Sequence, residues 1–294
     1  MKRSKFYYLT HPSVGIPALL CKISDRYAIE QQWKRCMDYP LNLDNPKTFS
    51  EKLQWLKLHD RKPLYTTLVD KYKVKEWVAN KIGTEYIIPT LGIYKHFNEI
   101  DFDALPNQFV LKCTHDSGSI VICEDKQTFN VGHAENQLEQ CLKRNFYYAS
   151  REWPYKNVPR RIIAEPFMKD GDSPSLTDYK FYCFHGVPKF LYVSYGLAVH
   201  STAFINYMTL DWKVAPFHRP DFMEFEEIPP KPQSFDEMIK LATVLSQDIP
   251  FVRVDFYEIN HKPYFSELTF SPGDGLTAFE PFEWDCIIGD MLHI

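Results

Sequence analysis

The chain has no CxxC pair, and its seven cysteines are an odd number. A disulfide framework needs paired thiols and a structural zinc site needs closely spaced ones, so the count argues against both and makes a reducing cytosol the simplest home. No apolar run approaches the roughly 18 residues of a membrane-crossing helix. Lys2, Arg3 and Lys5 are followed by a stretch broken at His11, Pro12 and Gly15, which does not read as an export signal. Phe6, Tyr7, Tyr8, Ile16, Leu19 and Leu20 fit a docked N-terminal arm, with peripheral membrane contact as the other reading. A formal net charge of -4 supplies no general field for nucleic acid. There is no internal repeat, no Walker A loop, no dinucleotide fingerprint, and no Ser-His-Asp or Cys-His pattern with supporting context.

At 294 residues, 45% of them hydrophobic, the chain is long enough for one large or two to three small domains with a sizeable core. Residues 1 to 63 read as helical and irregular, with a capping box of Thr48 and Glu51 ahead of Leu53 and Leu56. The spacing of Val74, Val78 and Ile82 predicts one helix from Tyr65 to Ile82, stopped by Gly83, with Asp70, Lys71 and Lys73 on an exposed polar face. Short strands are expected at 86–88 and 91–94.

The run FVLKCTHDSGSIVIC (109–123) is two β-rich segments around a turn of small polar residues. Such a turn can wrap N–H groups and hydroxyls around phosphates, with Lys112 adding a point charge, although ordinary hairpin turns use the same residues. A helix over 132–150 and a buried strand over 161–167 follow, and KDGDSPSLT (169–177) is the clearest linker. Beyond it lie a hairpin over 178–196 with Asp178 and Lys180 on one face, strands at 203–207 and 209–214, and a helix capped by Ser234 and Glu237.

The stretch FVRVDFYEINHKPYFSELT (251–269) alternates Val252, Val254 and Phe256 against Arg253, Asp255 and Tyr257, then turns at Asn260, His261 and Lys262. Simple alternation puts Phe265, Glu267 and Thr269 on one face of the returning strand, so Asp255 and Glu267 can meet across the ladder. Two carboxylates beside an arginine suit a divalent metal carrying phosphates, and equally a solvated, charge-paired surface.

In order along the chain, PKTFSEKLQWLKLHDR (46–61), VDKYKVK (69–75), FVLKCTHDSGS, TDYKFYCFHG and FSELTFSPGDG resemble the TupA-like branch of the polysaccharide-associated ATP-grasp proteins. The resemblance implies an α+β fold in which two α+β subdomains (64–168 and 169–294) clamp ATP, preceded by a mainly helical region (1–63). It implies that Lys71 and Lys112 grip the ATP phosphates and that Ser117, Gly118 and Ser119 close over them. Glu165 to Met168 would be the hinge, with Phe167 and Met168 offering backbone contacts to adenine. Asp178 and Lys180 would lie near ribose and acceptor, Arg253 would face the transferring phosphate, and Asp255 and Glu267 would hold Mg²⁺.

Thr269 stands where such enzymes often have Asn, and the first 60 or so residues lack the alternating strands and helices of a usual pre-grasp domain. The implied reaction is ATP-dependent joining of a carboxylate to an amine through an acyl phosphate. The carboxylate would be a uronic acid or acidic glycan precursor, the amine an amino acid or small amino alcohol, and the setting capsular or cell-surface polysaccharide biosynthesis in the cytoplasm. Asp255→Asn and Glu267→Gln are expected to abolish turnover at a partly exposed site and leave the fold intact. Two other readings stand beside this one: a glycosyltransferase using a nucleotide-sugar, which lacks a Rossmann-like alternation here, and a non-catalytic nucleotide-binding module of a polysaccharide assembly complex.

Overall fold

The computed structural model describes residue 20 and residues 22–171, 173, 175–196 and 203–294. The expected N-terminal arm lies almost wholly outside the described residues, as do positions 172 and 174 of the linker. In chain order the elements are α1 (Asp25–Cys36), α2 (Phe49–His59), α3 (Pro63–Val69), α4 (Lys73–Ile82), β1 (Gly92–Tyr94), β2 (Phe109–Cys113), β3 (Ile120–Cys123), α5 (Val131–Leu142), α6 (Tyr147–Ser150), β4 (Ile162–Pro166), β5 (Thr177–Phe184), β6 (Val187–Tyr195), β7 (Phe204–Thr209), α7 (Phe235–Leu245), β8 (Phe251–Ile259), β9 (Lys262–Thr269) and α8 (Glu283–Asp290). The strands form two antiparallel sheets, ordered β1-β4-β2-β3 and β7-β6-β5-β8-β9.

The first sheet buries Phe109, Leu111, Cys113, Ile162 and Ala164 against Ala134, Leu138 and Leu142 of α5. Strand alternation turns Val110, Lys112, Ile163 and Glu165 to the opposite face. The second sheet is covered on both sides. One face (Phe181, Cys183, Leu191, Val193, Val252, Val254, Phe256) packs on Tyr65 and Leu68 of α3, Val74 and Val78 of α4, and the apolar stripe of α7. The other carries an aromatic cluster of Tyr182, Phe184, Phe190, Tyr192, Tyr207 and Phe251, closed by Phe49 and Leu53 of α2, Ile288 of α8 and Phe279.

The capping box of α2 forms as expected: Glu51 N–H donates to Thr48 Oγ1 at 3.1 Å, and Thr48 N–H donates to Glu51 Oε2 at 3.1 Å. The helices α2 and α8 are clasped together. Ser50 Oγ donates to Asp285 at 3.1 Å, and Lys52 Nζ donates to the carbonyls of Gly289 and Leu292, each at 2.8 Å. A Cβ on Gly289 would collide with the Lys47 carbonyl, so only glycine lets the helices approach this closely.

Local readings fail where a distant partner intervenes. The expected helix from Tyr65 to Ile82 is two helices, because Asp70 leaves the exposed face, becomes buried, accepts from Tyr72 N–H (3.0 Å) and ion-pairs with Arg161 at 2.6 Å. Residues 84–86 form a 3₁₀ turn rather than a strand, with Ile87 bridging to Phe265. Residues 209–213 turn instead of extending, and the helix expected over 132–150 is interrupted after Leu142. Ser234 does not cap α7, because its N–H (2.8 Å) and hydroxyl both donate to the Glu258 carboxylate.

Candidate active site

The hairpin of β8 and β9 pairs Asp255 with Glu267 and Arg253 with Thr269, as the carboxylate reading requires. A register shift after Asp255 pairs Phe256 with Phe265 and leaves Ser266 as the extra residue of a bulge. Simple alternation is therefore wrong for Phe265. Phe265 and Leu268 enter the core, while Glu267 and Thr269 share the face of Arg253 and Asp255.

Adjacent strands extend that face into one cross-sheet row. Tyr207 pairs with Tyr192, Tyr192 with Lys180, Lys180 with Asp255, and Asp255 with Glu267. Lys180 Nζ lies 3.0 Å from Asp178 and 3.1 Å from Asp255. Arg253 grips Asp255 through Nε (2.7 Å) and Nη2 (2.6 Å), and Nη2 also reaches Glu267 Oε1 at 3.0 Å and Thr269 Oγ1 at 2.9 Å. The guanidinium stands over the Tyr192 ring, 5.5 Å from its centre. The sequence reading had no role for Tyr192.

Asp255 is 0% exposed, so the expectation that this carboxylate is partly exposed is corrected. The Glu267 side chain is 38% exposed, and its hydrogen bonds fall on Oε1. Partial burial works to raise the Glu267 carboxyl, but Lys180, Arg253, Lys71 and the Thr269 hydroxyl outweigh it and hold it at about 2.

The open face of the first sheet supplies the complementary charge. Lys112 lies 2.5 Å from Glu165, and Lys75, projecting from α4, pairs with the other oxygen of that carboxylate. Burial alone would raise Glu165, yet Lys112 and Lys75 keep it below the ordinary carboxylate range. Lys75 joins the cluster of Lys112 and Glu165 without having been singled out in the sequence, although it ends the quoted VDKYKVK segment. Beside this trio, Val110 and Ile163 are buried while Ile120 and Ile122 are exposed, giving an apolar strip next to the charges.

Lys71 sits in the break between α3 and α4, where its N–H donates to Thr114 O (3.1 Å) and its Nζ to Asp116 O, which ties it to the polar turn. Ser117 and Gly118 form the exposed tip of that turn. Ser119 points inward, its hydroxyl accepting from Cys113 N–H at 3.0 Å and donating to Asp116. Phe167 and Met168 are half-buried immediately after β4. The two faces sense each other, since Lys112 feels Glu267 and the Tyr257 phenol, and Glu267 feels Lys71.

The turn after β9 is anchored from beneath. Gln54 Nε2 donates to the carbonyls of Asp274 (2.9 Å) and Gly275 (2.7 Å), and Lys57 Nζ donates to Asp274 O (2.6 Å) and Ser150 O (2.9 Å). Glu152 is buried beside this lysine. Burial, reinforced by Asp274 and opposed by Lys57, pushes its carboxyl up to about 8.

The charges divide by side. Lys71, Lys75 and Lys112 against Glu165 leave the first face positive, while Asp178, Asp255 and Glu267 against Lys180 and Arg253 leave the second negative. Among the described residues no cluster of three or more His, Cys, Asp or Glu is arranged to chelate a metal. Asp255 and Glu267, facing each other across the ladder, are the hard oxygen donors here that a Mg²⁺ ion would draw on, although both Asp255 oxygens are already engaged by Arg253 and Lys180.

Residues 51–293 match the family model described as TupA-like ATPgrasp. No curated protein sequence matches the chain. Among solved structures, the chain is similar to D-alanine–D-alanine ligase from Bacillus anthracis complexed with ATP, at 13% identity and TM-score 0.38, over 69% of this chain and 54% of that one. It is similar to the ATP-grasp ligase PsnB complexed with a phosphomimetic variant of minimal precursor, Mg and ADP, at 9% identity and TM-score 0.44, over 83% of this chain and 65% of that one. It is also similar to D-cycloserine synthetase DcsG, at 13% identity and TM-score 0.43, over 90% of this chain and 93% of that one. The chain thus spans about half the length of the first of these.

Proposed function

The chain belongs to the TupA-like ATP-grasp family, and from that premise we propose that it is an ATP-dependent ligase joining a carboxylate to an amine. The observation that carries the proposal is that a lysine face, Lys75 and Lys112 around Glu165 with Lys71 beside the polar turn, lies within electrostatic reach of the Arg253–Asp255–Glu267 hairpin. In this reading 64–168 and 169–294 are the two clamping subdomains and 1–63 an added helical region.

Lys71, Lys75 and Lys112 neutralise the phosphates of ATP, and Ser117 and Gly118 cover them. The strip of Val110, Ile120, Ile122 and Ile163 receives the adenine, whose polar edge meets the backbone of Phe167 and Met168. Asp255, on giving up part of its hold on Arg253 and Lys180, and Glu267 would hold Mg²⁺, which would draw off the negative charge that builds on the phosphates. Arg253, fixed against Tyr192 and Thr269, faces the transferring group, and Lys180 and Asp178 orient the acceptor. A carboxylate oxygen takes the terminal phosphoryl group from ATP, ADP departs, and the amine then attacks the acyl carbon, releasing phosphate and forming the amide. The chain contributes positioning, charge and exclusion of water, and no side-chain nucleophile is required.

The substrates we propose are a uronate or acidic glycan precursor and a small amine or amino acid, for capsular or cell-surface polysaccharide in the cytoplasm. No helix among the described residues is long and apolar enough to cross a membrane. Incubation with Mg-ATP and a panel of uronates and amines tests the reading. ADP and phosphate formed only when both co-substrates are present supports it. Release of AMP, ATP binding without turnover, or consumption of a nucleotide-sugar in place of ATP overturns it.

A further inference from the structure

Tyr192 stands in the middle of the cross-sheet row, and the reaction above gives its ring no role beyond a resting place for Arg253. Two cations lie over that ring. Arg253 Cζ is 5.5 Å from its centre and Lys180 Nζ is 6.0 Å from it. The ring itself is locked in place, since it is 6% exposed, meets Tyr207 edge-on with centres 5.4 Å apart and planes at 66°, and lies 6.1 Å from the Tyr182 ring. The negative face of an aromatic ring attracts a cation without offering a charge that a metal could take.

The need for such a platform follows from the anions around Arg253. Asp255 Oδ1 accepts from Arg253 Nε at 2.7 Å, and Asp255 Oδ2 accepts from Arg253 Nη2 at 2.6 Å and from Lys180 Nζ at 3.1 Å. Glu267 Oε1 accepts from the same Nη2 at 3.0 Å. These are the carboxylates assigned to the metal, so two cationic side chains and Mg²⁺ would draw on the same oxygens. Lys180 keeps a second anion, Asp178, at 3.0 Å. Among the described residues, Arg253 keeps only the Thr269 hydroxyl, at 2.9 Å, and the Tyr192 ring. The hydroxyl fixes one nitrogen, whereas the ring attracts the whole guanidinium.

We propose that Tyr192 is a positioning residue whose ring retains Arg253 and Lys180 as Asp255 and Glu267 turn to Mg²⁺, so that metal and cations share one face. The inference rests on the metal site of the ligase reading above. Without the ring, Arg253 stays on Asp255 and competes with the metal. With the ring, parting that ion pair is offset by a neutral contact already in place. The ring and Mg²⁺ are therefore coupled, and the sign of the coupling is that the ring strengthens metal binding.

The test measures, by calorimetry on the full chain, the affinity for a non-hydrolysable ATP analogue with and without Mg²⁺. The gain in affinity on adding Mg²⁺ reads the coupling, and a general packing defect, which weakens both measurements alike, cancels from it. Tyr192→Phe keeps the ring and should keep that gain within about twofold of wild type. Tyr192→Leu should lower the gain about tenfold, with the metal-free affinity unchanged. Phenylalanines carrying one, two and three ring fluorines, introduced at position 192, weaken the negative face of the ring with little change of shape and should lower the gain stepwise between those limits.

Equal gains in wild type and Tyr192→Leu, whatever the absolute affinities, overturn the assignment. A flat fluorinated series does so too, because it would make the ring a packing element, and so does a wild type whose analogue affinity ignores Mg²⁺. Failure to form an amide with any pair of co-substrates would overturn the ligase reading instead, and the titration requires no co-substrate.

Discussion

Asp255→Asn and Glu267→Gln each remove one negative charge from the same face, and the structure separates their effects. Asp255 is fully buried and accepts from two nitrogens of Arg253 at 2.7 and 2.6 Å and from Lys180 at 3.1 Å. Asparagine offers one acceptor oxygen and turns an NH₂ group toward donors, so at least one charge-assisted bond is lost and another is replaced by repulsion. Each such bond contributes roughly 1.5–3 kcal/mol, and breaking a buried pair costs about 3–5 kcal/mol, which is on the order of 10 °C in Tm for a chain of this size. Glu267 gives up one 3.0 Å ion pair from a side chain 38% exposed. After solvent screening that costs about 1 kcal/mol or less. Both variants should lose turnover, since each takes a carboxylate from the proposed Mg²⁺ site. Scanning calorimetry beside an ADP-release assay reads both effects. An Asp255→Asn protein melting with wild type would refute the buried-hub argument, and full turnover in Glu267→Gln would refute the metal role.

Lys75→Met should raise the ATP concentration needed for half-maximal turnover by about tenfold, because Glu165 then competes for Lys112; an unchanged requirement would remove Lys75 from the site. Lys112→Ala should raise it as well, and a wild-type ATP dependence would make the polar turn an ordinary hairpin. Glu152 is held at about 8 in the folded chain against an ordinary 4.5, so across that window the folded chain retains a proton that the unfolded chain has released. Stability should therefore fall as pH rises from about 4.5 to 8, and Glu152→Gln should flatten that slope in melts taken across pH. Parallel slopes in the two proteins would show that the carboxyl titrates normally.

Features set by neighbours in sequence were legible in advance. Thr48 and Glu51 cap their own helix, and Val252, Val254 and Phe256 declare a strand with one buried face. The order of Lys112, Glu165, Asp178, Arg253, Asp255 and Glu267 pointed to a candidate site before any geometry, and the fold groups Lys112 with Glu165 and Asp178, Asp255 and Glu267 around Lys180 and Arg253. What escaped depends on partners far along the chain. Asp70 breaks a periodic helix because Arg161 lies opposite it, 91 positions away. Ser234 leaves its cap for Glu258, and Lys75 takes its meaning from a carboxylate on β4. The bulge at Ser266 inverts the parity of β9, and alternation within one strand contains no sign of it.

The clasp of α2 by α8 also constrains the order in which this part of the chain can fold. The Ser50–Asp285 bond and the Lys52 bonds to Gly289 and Leu292 join residues more than 230 positions apart. A ribosome adding about 5–20 residues per second makes α2 ten seconds or more before α8 exists. Throughout that interval Phe49 and Leu53 lack the Ile288 side of their core. Between the two helices the nascent chain therefore carries an unfinished aromatic surface, a natural point for chaperone engagement, and α8 closes it.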